Sequence, residues 1–339
     1  MEHHSLERYS RQMRFSPIGE EGQQKLAQKS VLIVGVGALG TVLANHLVRA
    51  GVGLVRMVDR DYVEMSNLQR QMLFDEDDVK ESLPKAVAAE RKLKAINSSV
   101  IIEGIVTDVT MDNLPKLLEG IDLVLDGTDN FRTRFLLNDM CFKKGIPFAY
   151  GGAVSARGMS ALFIPGKTPC LRCFINPGEG TGQTCDTIGV ISPVVDIVAS
   201  YQVVEVIKYL VEDEQSLRGT LRSFDLWNNH QFDLKMDKAK TNCPTCQNQE
   251  YPSLQEEEDH VTTLCGRETV QIQRKEPIDL EMWSVKLESV AELKKTPFLL
   301  RVQLAEGERL VLFPDGRVLI QGTEDISRAK TLYSKYIGG

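Results

Sequence analysis

Short apolar runs alternate with helical spacing up to about residue 240. VLIVG (31–35), LVRMVD (54–59), VIIEGI (100–105), IDLVLD (121–126) and PFAYGG (147–152) are rich in Val, Ile and Leu, and each predicts a strand. Between them, residues 39–50 and 131–144 repeat apolar positions at helical intervals, and each stretch is followed by a glycine, Gly51 or Gly145, as a helix stop. Strands alternating with helices predict an α/β fold: a parallel, Rossmann-like nucleotide-binding sheet covered by helices. The pattern changes in QNQEYPSLQEEEDH, which is polar and acidic and predicts a linker over residues 249–261. Beyond it, shorter alternating runs such as FLLRVQL and ERLVLFPDGRVLIQG, the latter with a hairpin signal at Pro314-Asp315-Gly316, predict a small α+β domain over 262–339. The nucleotide-binding part is then residues 1–248.

Composition narrows the class. The chain has 339 residues, 42% hydrophobic and 26% charged, enough apolar material for one large or two modest cores. A formal net charge of −7 argues against nucleic acid or anionic membrane as a nonspecific partner. Charged and polar residues interrupt every long apolar run, so neither a membrane span nor a signal peptide is expected. A cytoplasmic setting is therefore expected, in which the seven cysteines bind metal or react rather than form structural disulfides.

The stretch GVGALG (35–40) follows a predicted strand and opens a predicted helix. Gly35, Gly37 and Gly40 let the backbone turn tightly and aim its N–H groups at a phosphate. Asp59, at the end of the next strand, can accept hydrogen bonds from a ribose. These features suit any adenine nucleotide, NAD included. The residues beyond Asp59 separate the ligands. Asn67, Gln69 and Arg70 lie just past it, and Lys85 opens the next helical stretch. A pyrophosphate already met by helix N–H groups has little use for two more cations, whereas a triphosphate that must shed pyrophosphate does. Asp126 and Asp129, in LDGTDN, put carboxylates where a nucleotide site lies, and one of them can hold Mg²⁺.

Taken in order, RYSRQ (8–12), GVGALG (35–40), DRDYVEMSNLQRQ (59–71), PKA (84–86), DGTDN (126–130), TPCLRC (168–173), TCDTIGVISP (184–193) and CPTC (243–246) resemble the MoeB/ThiF family. These are bacterial relatives of ubiquitin-activating enzymes, and this chain resembles the longer type with a C-terminal extension. The resemblance implies adenylylation, with MgATP, of the C-terminal Gly-Gly carboxylate of a ubiquitin-like sulfur carrier, MoaD or ThiS, in molybdopterin or thiamine thiazole synthesis. It implies that Asp59 contacts the ribose, and that ATP is also met by Gly35, Gly37, Ala38, Gly40, Asp61, Ser66, Asn67, Leu68, Gln69, Arg70, Lys85, Asp129 and Asn130. Asp129 is to support Mg²⁺. Arg11 is to reach the phosphates from the other subunit of a homodimer, and a cysteine desulfurase is a further implied partner as sulfur donor. Ala38 departs from relatives that carry a third glycine there, a change the turn tolerates if that residue has negative φ.

The cysteines fall into groups. Cys170-Leu-Arg-Cys173 and Cys243-Pro-Thr-Cys246 are two C-x-x-C knuckles whose thiolates can close a structural tetrahedral Zn²⁺ site, with a redox pair as the competing reading. The resemblance implies that the fold brings them together. Cys185 sits in PGEGTGQTCDTIGV, predicted to be a surface loop before a helix near Ser192. Its thiolate can displace AMP from an acyl-adenylate or carry sulfur as a persulfide, a role that ThiF relatives use and that is dispensable in some MoeB relatives. Cys141 is expected in the core, and Cys265 has no assigned role. The chain closes with YSKYIGG, so Gly338-Gly339 is either the tail of a carrier-like module or the end of a helix. Two other classes stay open: an NAD-dependent oxidoreductase, and a non-catalytic scaffold that binds a ubiquitin-like protein.

Overall fold

The computed structural model describes residues 7–176, 188–255, 261–264, 268–274, 276–289 and 291–338. The chain forms two compact units, Met1–Glu256 and Glu257–Gly339.

The first unit is built on an eight-stranded sheet: β1 (Ser30–Val34), β2 (Leu54–Asp59), β3 (Ile101–Val106), β4 (Leu123–Asp126), β5 (Phe148–Val154), β6 (Arg157–Phe163), β7 (Thr220–Asp225) and β8 (His230–Lys235). Its order is β3-β2-β1-β4-β5-β6-β7-β8. The five strands from β1 to β5 pair in parallel and β5 to β8 pair antiparallel. The sheet is thus mixed, where the sequence pattern predicts a parallel one. Its central strands β1 and β4 are almost wholly buried and read as apolar runs, which is why the parallel half is legible. In contrast β8 is exposed at every residue and alternates polar with apolar, so it lacks that signal.

Helices Ala38–Ala50 and Phe131–Lys144 end in left-handed Gly51 and Gly145, as expected. Long helix Ser192–Leu210 packs on β5 and β6 and against helix Ala38–Ala50. A core of Leu32, Val34, Val124, Leu137, Cys141, Phe148 and Phe163 fills one face. Cys141 is there as predicted, its thiol pushed well up by burial. No helix among the described residues is long and apolar enough to cross a membrane.

The expected linker begins as ordered structure. Residues Pro252–Leu254 form a 3-10 turn, and Ser253 N donates to buried Asp139 of helix Phe131–Lys144 at 2.9 Å. The acidic composition concealed this contact.

The second unit is a six-stranded antiparallel sheet: β9 (Val261–Leu264), β10 (Thr269–Gln273), β11 (Glu292–Lys295), β12 (Leu300–Gln303), β13 (Arg309–Leu312) and β14 (Arg317–Gln321), in the order β11-β12-β13-β14-β10-β9. Helices Leu280–Leu287 and Ile326–Tyr336 pack over Val270, Ile272, Leu300, Val302, Leu310, Leu312, Val318 and Ile320. The hairpin at Pro314-Asp315-Gly316 joins β13 to β14. At the chain's end, Gly338 takes φ +85° and its N–H donates to Tyr333 O at 3.2 Å, closing the last helix. Gly339 lies outside the described residues.

Candidate functional site

The carboxyl ends of β1, β2 and β4 form the site. β1 stops at Val34, and Gly35 turns with φ +87°, a left-handed conformation in which a Cβ would stand 2.7 Å from Gly127 O. The helix then starts at Ala38, which has negative φ, so its methyl group is tolerated as expected. Gly40 packs against the turn so tightly that a Cβ would stand 1.9 Å from Gly35 O. Gly40→Ala is therefore expected to move this turn and raise the Kd for ATP at least about tenfold while the purified protein stays folded, as measured by calorimetry and circular dichroism.

Asp59 closes the turn from β2. Its two carboxylate oxygens accept from Val36 N at 2.6 Å and Asp61 N at 2.7 Å. Burial pushes this carboxyl up, and nearby Lys85 opposes the shift. Lys85 is the first residue of helix Lys85–Ile96, only 4% exposed, with Nζ 3.4 Å from Asp61 Oδ2. Its backbone N–H also donates to Asp61 O at 2.9 Å. A buried lysine is thus placed beside Asp59, tied to Asp61 by both main chain and side chain.

The 3-10 turn Met65–Asn67 carries the next group. Asn67 is buried and its Oδ1 accepts from Glu64 N at 3.1 Å, shaping the turn. Ser66 is exposed, Leu68 half-buried, and Gln69 Nε2 lies 3.4 Å from Val190 O. Arg70 Nη1 donates to Ser66 O at 3.0 Å. Gln71 closes the same motif, although its position in the sequence does not single it out as a ligand-binding residue. It is 4% exposed, its Oε1 has no hydrogen-bond partner among the described residues, and its Nε2 lies 3.7 Å from where a Cβ of Gly37 would stand. A buried, unmet amide oxygen beside a glycine turn fits a site built for a ligand with donors.

The two acids after β4 separate. Asp126 is fully buried, 3.0 Å from Arg134 Nε, and accepts from Thr128 N and Oγ1 at 2.9 and 2.7 Å. It is a structural anchor for the loop. Asp129 is exposed on that loop, and Asn130 caps helix Phe131–Lys144 by accepting from Thr133 N at 2.9 Å. Arg11 is exposed on the short helix Ser10–Met13.

The four knuckle cysteines do meet. Their sulfurs all lie within 4.8 Å of one another, with Cys170 to Cys243 and Cys173 to Cys246 at 3.5 Å. A tetrahedral zinc with bonds of about 2.3 Å needs sulfurs roughly 3.8 Å apart, so the set fits. Lys240 N also donates to Cys173 Sγ at 3.3 Å, as a thiolate favours. Asp139 fastens both knuckles to one helix. It takes Arg172 Nε and Nη2, from the first knuckle, at 2.9 and 2.8 Å, and Thr245 Oγ1, from the second, at 2.6 Å. An acid inside the apolar helical run LLNDMCFKK was the available sign of this role. Cys185 and Cys265 lie outside the described residues.

Comparison with known proteins agrees with this geometry. The profile of the ThiF family matches residues 9–245. The chain is 46% identical, over 98% of its length and 99% of the relative's, to the sulfur carrier protein ThiS adenylyltransferase of Bacillus subtilis (strain 168). It is 37% identical to the sulfur carrier protein adenylyltransferase of Thermus thermophilus, over 71% of this chain and 90% of that one. The crystal structure of E. coli MccB with ATP superposes with a TM-score of 0.60 at 25% identity, over 71% of this chain and 73% of that one. The family match spans the glycine turn, the cations beyond it and three of the four knuckle cysteines, and the chain belongs to the ThiF family.

Proposed function

We propose that this protein is an adenylyltransferase that uses MgATP to activate the terminal Gly-Gly carboxylate of a ubiquitin-like sulfur carrier of the ThiS or MoaD type. The observation that carries the reading is Lys85, a lysine buried beside the ribose anchor and joined to it through Asp61. Relatives named as sulfur carrier adenylyltransferases support it.

The chemistry follows from the charges. A terminal carboxylate has a pKa of about 3.5 and is ionised at neutral pH, so it needs no general base. The obstacle is repulsion between two anions. Helix N–H groups at Gly37 and Ala38 receive the phosphates, Asp59 orients the ribose, and Gln71 offers its amide to the bound nucleotide. Lys85 and Arg70 offset the triphosphate charge and stabilise the departing pyrophosphate. Arg11 of a second copy completes this set in a homodimer. Asp129 holds the Mg²⁺ that accompanies ATP, which supplies further charge neutralisation at the phosphates. None of the five histidines lies in the motifs, in keeping with a reaction that needs no imidazole. The four cysteines hold a structural Zn²⁺, and Cys185 is the group placed by sequence to receive the activated acyl chain or deliver sulfur.

The carrier needs a surface as well as a reaction centre. Phe232 and Leu234 lie on the same face of exposed edge strand β8, 56% and 45% exposed, and Trp227 in the preceding turn is 78% exposed. An apolar patch of this kind suits a protein partner. Phe232→Asp is expected to raise the KM for the carrier about tenfold or more and leave the KM for ATP unchanged, because burying a phenyl ring contributes about 1.5–3 kcal/mol. Mass spectrometry of ThiS and MoaD, each incubated separately with enzyme and MgATP, tests the whole reading. AMP joined to the Gly-Gly end is expected, and nicotinamide binding without AMP transfer would contradict it.

A further inference from the structure

One cation at the site has no part in the adenylylation chemistry. Arg60 directly follows Asp59, and its Nη1 donates to Asp108 Oδ2 at 3.0 Å, while its Nε lies 3.9 Å from Asp61 Oδ1. Asp108 belongs to the loop after β3, a loop pinned to the end of β2 by Thr107 N donating to Asp59 O at 3.2 Å. Asn113 holds the same loop, its Nδ2 donating to Asp108 O at 2.7 Å. The guanidinium is therefore held by a hydrogen bond to Asp108 and a longer ion pair to Asp61, yet the side chain keeps 22% of its surface accessible.

Strand order says what lies beside it. The sheet runs β3-β2-β1-β4. Phosphates at the glycine turn after β1 and a ribose on Asp59 after β2 direct a nucleotide across the strands toward β3. Strands are spaced about 4.8 Å apart, so the base falls one step further on, at the loops that carry Arg60 and Asp108. The triphosphate runs the other way. The charge of Arg60 is matched by Asp108, by Asp61, which it shares with Lys85, and by nearby Asp129.

We infer that Arg60, held flat by Asp108, stacks its guanidinium face on the purine ring of ATP and sets the preference for a purine nucleotide. This inference rests on the adenylylation reading. A planar guanidinium stacks on aromatic faces, and the larger purine ring offers more area than a pyrimidine. The base is unchanged between ground and transition state, so the contact strengthens binding uniformly and acts on KM alone.

Calorimetric titration of the full-length protein with ATP and with CTP, without carrier, gives a readout free of turnover. Arg60→Lys keeps the positive charge facing Asp108 but loses the flat face. It is expected to weaken ATP binding about tenfold, to narrow the ATP-over-CTP preference by a similar factor, and to leave kcat at saturating ATP within about twofold of the original. Arg60→Ala is expected to match Arg60→Lys in both affinities. ATP affinity retained in Arg60→Lys, or a loss of kcat at saturating ATP, overturns the inference, since either outcome assigns Arg60 to charge or to phosphate. Failure of the unaltered protein to bind ATP would instead remove the adenylylation reading on which this one stands.

Discussion

Lys85→Met is expected to slow carrier-dependent exchange of pyrophosphate into ATP by about 10²–10³-fold, the usual cost of deleting one preorganised donor from charge developing in a transition state. The loss should fall mainly on kcat. Lys85 is 4% exposed and fixed at the first turn of its helix, so in the proposed reaction it has little need to reorganise. Its removal also leaves Asp61 short of one cationic partner, at 3.4 Å, which costs some stability. Thermal unfolding separates the two effects: a shift of a few degrees cannot account for a hundredfold loss of rate in protein that is still folded at the assay temperature. Arg70 is expected to behave similarly but less severely. It is half-buried, so solvent screens more of its charge than that of buried Lys85.

The second large effect belongs to the cysteines. Cys243→Ser is expected to abolish stoichiometric zinc and to lower the stability of the first unit by several kcal/mol, read as metal content and as the denaturant midpoint of unfolding. Apparent zinc binding energies in small structural sites, about 10–16 kcal/mol, match or exceed the whole stability of a typical domain, about 5–15 kcal/mol. Cys243 is 1% exposed and its sulfur sits 3.5 Å from that of Cys170 in the distant knuckle, so the metal joins segments that are far apart in sequence. If Cys243→Ser does not fold, Asp139→Asn serves in its place. It keeps all four thiolates and weakens the carboxylate that holds Arg172, Thr245 and Ser253, so zinc is expected to stay bound and to exchange faster with a chelator. Zinc retained at full stoichiometry in folded Cys243→Ser would contradict the four-cysteine site.

The sequence revealed the parallel half of the sheet because its central strands are buried and two of its helices end in glycine. It did not reveal β6 to β8, whose antiparallel pairing depends on contacts with β5 and leaves β8 without an apolar run. The placement of the candidate residues was legible where spacing fixes it. Gly35, Gly40, Asp59 and Lys85 each follow from the strand, turn and helix that present them. Asp126 and Asp129 could not be told apart, because only the fold shows that Arg134 buries one of them and leaves the other exposed. Asp139 and the Arg60–Asp108 pair meet partners distant in sequence, and Gln71 is marked only by its burial and its unmet amide oxygen, so no local pattern announces them. Arg11 belongs to the other subunit in the proposed dimer, so a single chain leaves it on an exposed helix.

The central claim is electrostatic: the cations beyond the glycine turn let a carboxylate approach the α-phosphorus of ATP and release pyrophosphate. Its most direct test is labelled pyrophosphate exchange by the unaltered protein and by the Arg70→Gln, Lys85→Met double variant, each with a carrier ending in Gly-Gly and with the same carrier lacking its last glycine. Exchange is predicted only for the unaltered protein with the intact carrier, while the double variant keeps its fold and its affinity for AMP. Undiminished exchange by the double variant, or exchange that persists with the shortened carrier, would contradict the claim.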